Sequence, residues 1–215
     1  MNKGIIFDFN GTMLFDKEFH DRAWRMFLEN QIQRTITEAE FQEHVYGKAA
    51  QDILSYFLNR ELSDTESIQI EEQKERIYRE LCLQSEEFHL ADGLPEFLDE
   101  LKEREIPVTI ATASALKNME FFFKYLKLSR WFDLSGIVYN DGTFPGKPAP
   151  DIFLKAAELL HVSISECTVF EDAKSGIQAA KVAGAGRIIG VASMLNEQEL
   201  ISYGADFVIK DYNRR

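Results

Sequence analysis

The chain has 215 residues, 45 % of them apolar and 28 % charged, with 24 Lys and Arg against 36 Asp and Glu for a net charge of −12. That length holds one good-sized domain or a core domain with an insertion, and the composition is ordinary for a globular protein. The acidity argues against a nucleic-acid partner, which needs a basic face, and no apolar run approaches the ~18 residues of a membrane span, so neither nucleic acid nor membrane is expected. The start leads straight into an apolar run rather than a signal peptide. Cys82 and Cys167 lie far apart, without metal-ligand spacing. Two reduced, packed thiols in a cytosolic (cytoplasmic) protein are expected. No feature demands more than a monomer.

In chain order, Ile5 to Phe7 reads as a buried strand that ends in a carboxylate, Asp8, with Asn10-Gly11 as a turn signal. The pattern then turns helical through residue 86. Phe15 to Asn30 carries Phe19, Ala23, Met26 and Phe27 at helical spacings. Two capping boxes, Thr37-x-x-Glu40 and Ser63-x-x-Glu66, each open a further helix, the second running to about Leu83 with a charged, solvated face. From Ala91-Asp92-Gly93 onward helices and strands alternate. Helix 94–104 precedes strand 107–112, and helix 115–127, with Met119, Phe122, Phe123 and Leu126 inward, precedes strand 136–139. Helix 150–160 precedes strand 167–170, helix 174–183 precedes strand 187–191, and a last short strand is expected at 207–209. Such alternation implies βαβ units and a parallel sheet. The fold class is therefore α/β, with residues 1–14 and 87–215 as the core and residues 15–86 as an all-helical insertion.

Four groups of polar residues fall at strand ends, where open α/β sheets bind their ligands. The first is Asp8-x-Asn10-Gly11-Thr12, a carboxylate followed by a turn whose backbone N–H groups can approach an anion. The second is Thr112-Ala113-Ser114-Ala115, a hydroxyl and backbone N–H groups ahead of a helix, which make an anion site. The third is Lys147 in the Pro-braced loop Gly146-Lys147-Pro148-Ala149-Pro150, and the fourth is the acidic pair Glu171-Asp172. Alone, the first is a strand-ending turn, the third a solvated loop lysine and the fourth a helix N-cap. Together they form a kit for phosphoryl transfer. Asp8 is placed as a nucleophile, Ser114 and Lys147 hold phosphoryl oxygens, and Asp8 with Glu171-Asp172 holds Mg²⁺.

These motifs resemble the four signature motifs of the haloacid dehalogenase superfamily, and most closely its beta-phosphoglucomutase-like branch. The resemblance spans the chain, including Lys147-Pro-Ala-Pro-Asp-Ile-Phe153 and Glu171-Asp-Ala-Lys-Ser-Gly-Ile-Gln-Ala-Ala180. It implies a Rossmann-like parallel sheet with helices on both faces and a helical cap over the strand ends. It also implies that Asp8 attacks phosphorus to form an aspartyl-phosphate. Mg²⁺ is then ligated by Asp8, the backbone carbonyl of Asn10 and Asp172, with Glu171 nearby. Gly11, Thr12 and Ala115 belong to the substrate-binding positions.

Two departures stand out. The family's phosphatases and mutases usually carry an aspartate at the position of Asn10, as the acid and base for the leaving group and the water. An amide cannot do this, and losing such a group typically costs ~10²–10⁴-fold. In the cap, His20 and Trp24 match mutase positions, but they are equally suited to packing one helical turn apart. Around Tyr46-Gly47-Lys48-Ala49-Ala50 the arginine for the distal phosphate is missing; Ala50 stands in its place, and Lys48 offers only a point charge. The favoured reading is a Mg²⁺-dependent phosphatase-type hydrolase of a small phosphorylated metabolite. The alternatives are a sugar phosphomutase, a catalytically weak phosphometabolite-binding protein, which Asn10 favours, and a dehalogenase, which would not need the acidic pair.

Overall fold

The run Gly4–Phe7 (β1) is buried at every position, as a strand covered on both faces must be, and its unbroken apolar character follows from that burial. In the computed structural model, which describes residues 3–213, β1 lies inside a six-stranded parallel sheet. The remaining strands are β2 (Val108–Ala115), β3 (Val138–Asn140), β4 (Cys167–Glu171), β5 (Arg187–Val191) and β6 (Phe207–Ile209). The helices are α1 (Lys17–Ile32), α2 (Glu38–His44), α3 (Ala50–Leu58), α4 (Asp64–Leu83), α5 (Leu94–Glu103), α6 (Leu116–Tyr125), α7 (Asp151–Leu159), α8 (Lys174–Ala183) and α9 (Glu197–Tyr203).

The strand order is β3-β2-β1-β4-β5-β6. The chain winds outward from β1 to β3, returns to lay β4 beside β1, and winds outward the other way. β1 and β4 thus flank the point where the winding reverses, and the crevice beyond their carboxyl ends is where such sheets bind ligands. Phe7 pairs in register with Phe170, so Asp8 and Glu171 follow side by side. Successive strand residues face opposite sides. Ile6 packs with Ile152 and Phe153 of α7 and Ile177 of α8, while Phe7 stacks on Phe170 and meets Phe97 of α5. Helices therefore cover both faces.

The chain divides into two compact units: one made of the segments up to Asp16 and from His89 onward, the other of Lys17–Phe88. The second is helical, with Trp24, Phe27, Phe41, Leu54 and Phe57 in its own core. Thr37 and Ser63 cap α2 and α4 by accepting from the N–H groups of Glu40 and Glu66.

Several boundaries differ from the sequence reading. α1 starts at Lys17 rather than Phe15. β2 continues to Ala115, pairing with Asn140 of β3 across a register irregularity, so Ser114 belongs to a strand end and α6 begins only at Leu116. The small residues of Ala113-Ser114-Ala115 give no strand signal of their own; pairing with β3 extends them. On α6, Phe121 is buried and Phe123 and Leu126 are half-buried. α9 was not expected at all. It has only seven residues, yet its capping box of Asn196 and Glu199 is complete and is a signature legible in sequence.

Candidate active site

β1 delivers Asp8 and β4 delivers Glu171 and Asp172 to the winding reversal, and the loop between β3 and α7 brings Lys147 between them. Lys147 Nζ lies 2.6 Å from both Asp8 Oδ1 and Glu171 Oε1. The second oxygen of Glu171 accepts from the N–H of Ala173 at 2.8 Å. Asp172 Oδ1 accepts from Thr12 Oγ1 at 3.2 Å. All three carboxylates are buried, at 6, 1 and 5 % exposure in chain order.

That burial decides the electrostatics. Burial pushes the Asp8 carboxyl up to about 7; the neighbouring Lys147 pulls it down, and the charge of Glu171 adds to the rise. Asp172 is pushed well above the usual carboxylate range by burial first, then by Glu171 and Asp8. Burial alone would lower the Lys147 ammonium, but the charges of Asp8 and Glu171 outweigh it and raise it. One ammonium does not balance three carboxylates. Oxygens from Asp8, Glu171 and Asp172 lie within 4.8 Å of one another. A buried, all-oxygen, net-anionic set without His or Cys fits a hard divalent cation such as Mg²⁺.

Two glycines make room for these carboxylates. Gly11 has φ +77°, and a Cβ there would overlap the Asp172 carboxylate; a Cβ on Gly176 of α8 would overlap that of Glu171. Gly176 was missed in the sequence, where only its place inside an amphipathic helix could have marked it. Of the backbone N–H groups of the Asp8–Thr12 turn, those of Gly11 and Thr12 are bonded within the turn. Gly11 N–H donates to Leu14 O at 2.7 Å and Thr12 N–H to Phe9 O at 3.2 Å, closing the turn. Gly11 instead supplies space, and Thr12 its hydroxyl.

Ser114 Oγ donates to Asn10 Oδ1 at 2.6 Å, and Asn10 Nδ2 donates to Asp16 Oδ2 at 2.5 Å. Ala115 is exposed at the strand end. The remaining candidates lie in the helical unit. His20 stacks on Tyr78 with ring centroids 4.1 Å apart, its Nδ1 3.3 Å from Lys74 Nζ, and Lys74 lies over the Trp24 ring at 4.9 Å. Trp24 is buried in that unit's core, so packing accounts for it. Gly47 and Lys48 are exposed between α2 and α3. Tyr212 was missed altogether. Its hydroxyl donates to the Thr12 carbonyl at 3.2 Å, and its ring packs against Phe7 and Phe170 beneath the two strand ends.

A buried acid cluster with one lysine at this position of this sheet is suited to binding a cation and a phosphoryl group. Residues 2–184 match the model of the haloacid dehalogenase-like hydrolases, and the chain belongs to that family. It is 30 % identical to a phosphorylated carbohydrates phosphatase of Thermotoga maritima, over 97 % of this chain and 94 % of that protein. It is also 30 % identical to a beta-phosphoglucomutase of Bacillus subtilis, over 85 % of this chain and 80 % of that protein. Among solved structures, a family IA, variant 3 hydrolase of this family from Entamoeba histolytica superposes with a TM-score of 0.93 at 40 % identity, covering 98 % of this chain and 94 % of that one.

Proposed function

We propose that the protein is a Mg²⁺-dependent phosphatase acting on a small phosphorylated metabolite of the sugar-phosphate class, through an aspartyl-phosphate on Asp8. The observation that carries this reading is the buried cluster in which one ammonium, Lys147, bridges Asp8 and Glu171 beside Asp172. The phosphatase and mutase names of the relatives support the substrate class. Asp8, Asp172 and the backbone carbonyl of Asn10, with Glu171 beside them, would hold Mg²⁺, which when bound would neutralise charge on the phosphoryl oxygens. Lys147 pulls the Asp8 carboxyl down against its burial and orients it, and its ammonium offsets the charge that builds on the transferring group. Asp8 attacks phosphorus, the bond to the leaving oxygen breaks, and water later cleaves the acyl phosphate to return the carboxylate. Residues 17–88 set selectivity among leaving groups. The buried, unbridged Cys82 and Cys167 suit a reducing, cytosolic setting.

A phosphate-release screen over sugar phosphates, with Mg²⁺ and with EDTA, tests the reading. Turnover should need the metal, vanish in Asp8→Ala, and lose both rate and metal affinity in Asp172→Ala. Undiminished release from Asp8→Ala would remove the covalent route. Asn10 favours a second reading, a protein that binds its phosphometabolite and turns it over slowly; tight binding with no release in the same screen would establish it.

A further inference from the structure

We propose that Asn10 and Asp16 work as a matched pair, in which Asp16 is the positioning residue that sets the Asn10 amide for the reaction; this rests on the phosphoryl-transfer reading above. The amide is gripped at both ends, by Asp16 Oδ2 at 2.5 Å on its nitrogen and by Ser114 Oγ at 2.6 Å on its oxygen. The Asp16 oxygen accepts from the amide, so Nδ2 and not Oδ1 of Asn10 faces it. Ser114, able to donate or accept, is then left to donate to Oδ1. Asp16 is 2 % exposed, so little solvent competes for the bond that holds the amide.

The geometry gives position 10 a specific task. One N–H of Nδ2 is held by Asp16, which leaves the second as an oriented donor where an acid would otherwise stand. Such a donor cannot hand over a proton, but it can stabilise charge developing on the leaving oxygen. The same geometry disfavours an aspartate at position 10. A carboxyl group on that frame would set oxygen against oxygen at hydrogen-bond distance, in place of the N–H that Asn10 supplies. Asn at 10 and Asp at 16 are therefore complementary, and either is mismatched without the other.

A mutant cycle tests the pair. Wild type, Asp16→Asn, Asn10→Asp and the double variant are assayed with Mg²⁺ on a sugar phosphate and on p-nitrophenyl phosphate. The Asn10 side-chain amide is followed by ¹⁵N–¹H NMR, whose dispersion also reports that each variant is folded. Asp16→Asn should lower kcat on the sugar phosphate by roughly 10–10²-fold, with KM changed less than about threefold, and lose less on p-nitrophenyl phosphate, whose leaving group needs little help. The double variant re-forms the amide–carboxylate bond with its ends exchanged, so it should exceed Asn10→Asp by about tenfold or more. One Asn10 amide proton should lie well downfield of the other in wild type and move upfield in Asp16→Asn. Additive substitutions, or an Asn10 amide indifferent to Asp16→Asn, would overturn the pairing. A responsive amide in a protein that releases no phosphate would instead overturn the phosphatase reading and leave the pair supported.

Discussion

Replacing Lys147 by methionine removes the ammonium that lies 2.6 Å from both Asp8 and Glu171 while keeping most of the stem. The lysine side chain is 8 % exposed and its partners 9 and 1 %, so solvent screens the loss little. Breaking a buried ion pair by deleting one partner costs about 3–5 kcal/mol. In a chain of this length each kcal/mol moves the melting temperature by about 2–4 °C, which gives a loss of roughly 6–20 °C in EDTA at neutral pH. A divalent cation supplies part of the missing charge, so saturating Mg²⁺ should recover more degrees in Lys147→Met than in wild type. Thermal melts of both proteins, with EDTA and with Mg²⁺, read both effects. A variant melting within about 2 °C of wild type in EDTA, or an equal Mg²⁺ response in the two, would refute the charge balance assigned to this cluster.

Asp8 makes stability pH-dependent in a stated direction. Its carboxyl is raised from 3.8 to about 7, so the folded state binds the extra proton, and stability present below pH ~4 is lost as pH rises towards 7. In EDTA the melting temperature should fall over that window more steeply for wild type than for Asp8→Asn; parallel curves would contradict it. Gly176→Ala places a Cβ against the Glu171 carboxylate and should cost about 1–3 kcal/mol by overpacking, whereas a higher melting temperature would mean that helix propensity alone governs the site. Lys48→Ala should change the ranking of sugar phosphates more than the rate on p-nitrophenyl phosphate; an equal loss on every substrate would place Lys48 in the chemistry or in folding.

Much of the sheet was legible because its signals are local. The apolar run into Asp8 and the recurring helix–strand alternation need only a few neighbouring residues to be read, and β5, β6 and α8 begin and end where the pattern puts them. The clustering of Asp8, Lys147, Glu171 and Asp172 was legible for a different reason: parallel topology forces strand ends to one edge, whatever lies between them. What escaped depends on partners distant in sequence. Ser114 lies on a strand only because β3 pairs beside it. The backbone N–H groups of Gly11 and Thr12 look available in a motif and are consumed by the turn that the motif makes. Gly176 and Tyr212 carry no composition signal; their places follow from the carboxylate and carbonyl that each meets.

Nucleophilic attack by Asp8 is most directly tested by looking for the phosphoryl group on it. Asn10 cannot activate water, so an aspartyl-phosphate should accumulate when the protein is mixed with Mg²⁺ and acetyl phosphate and quenched in acid. Peptide mass mapping should find one phosphoryl group on the peptide bearing Asp8, absent with EDTA and in Asp8→Asn. The same spectrum shows whether Asn10-Gly11 has deamidated, which excludes an adventitious aspartate at position 10. Phosphate release by undeamidated protein that persists in Asp8→Asn, with no phosphoryl group ever on Asp8 in wild type, would contradict the covalent mechanism.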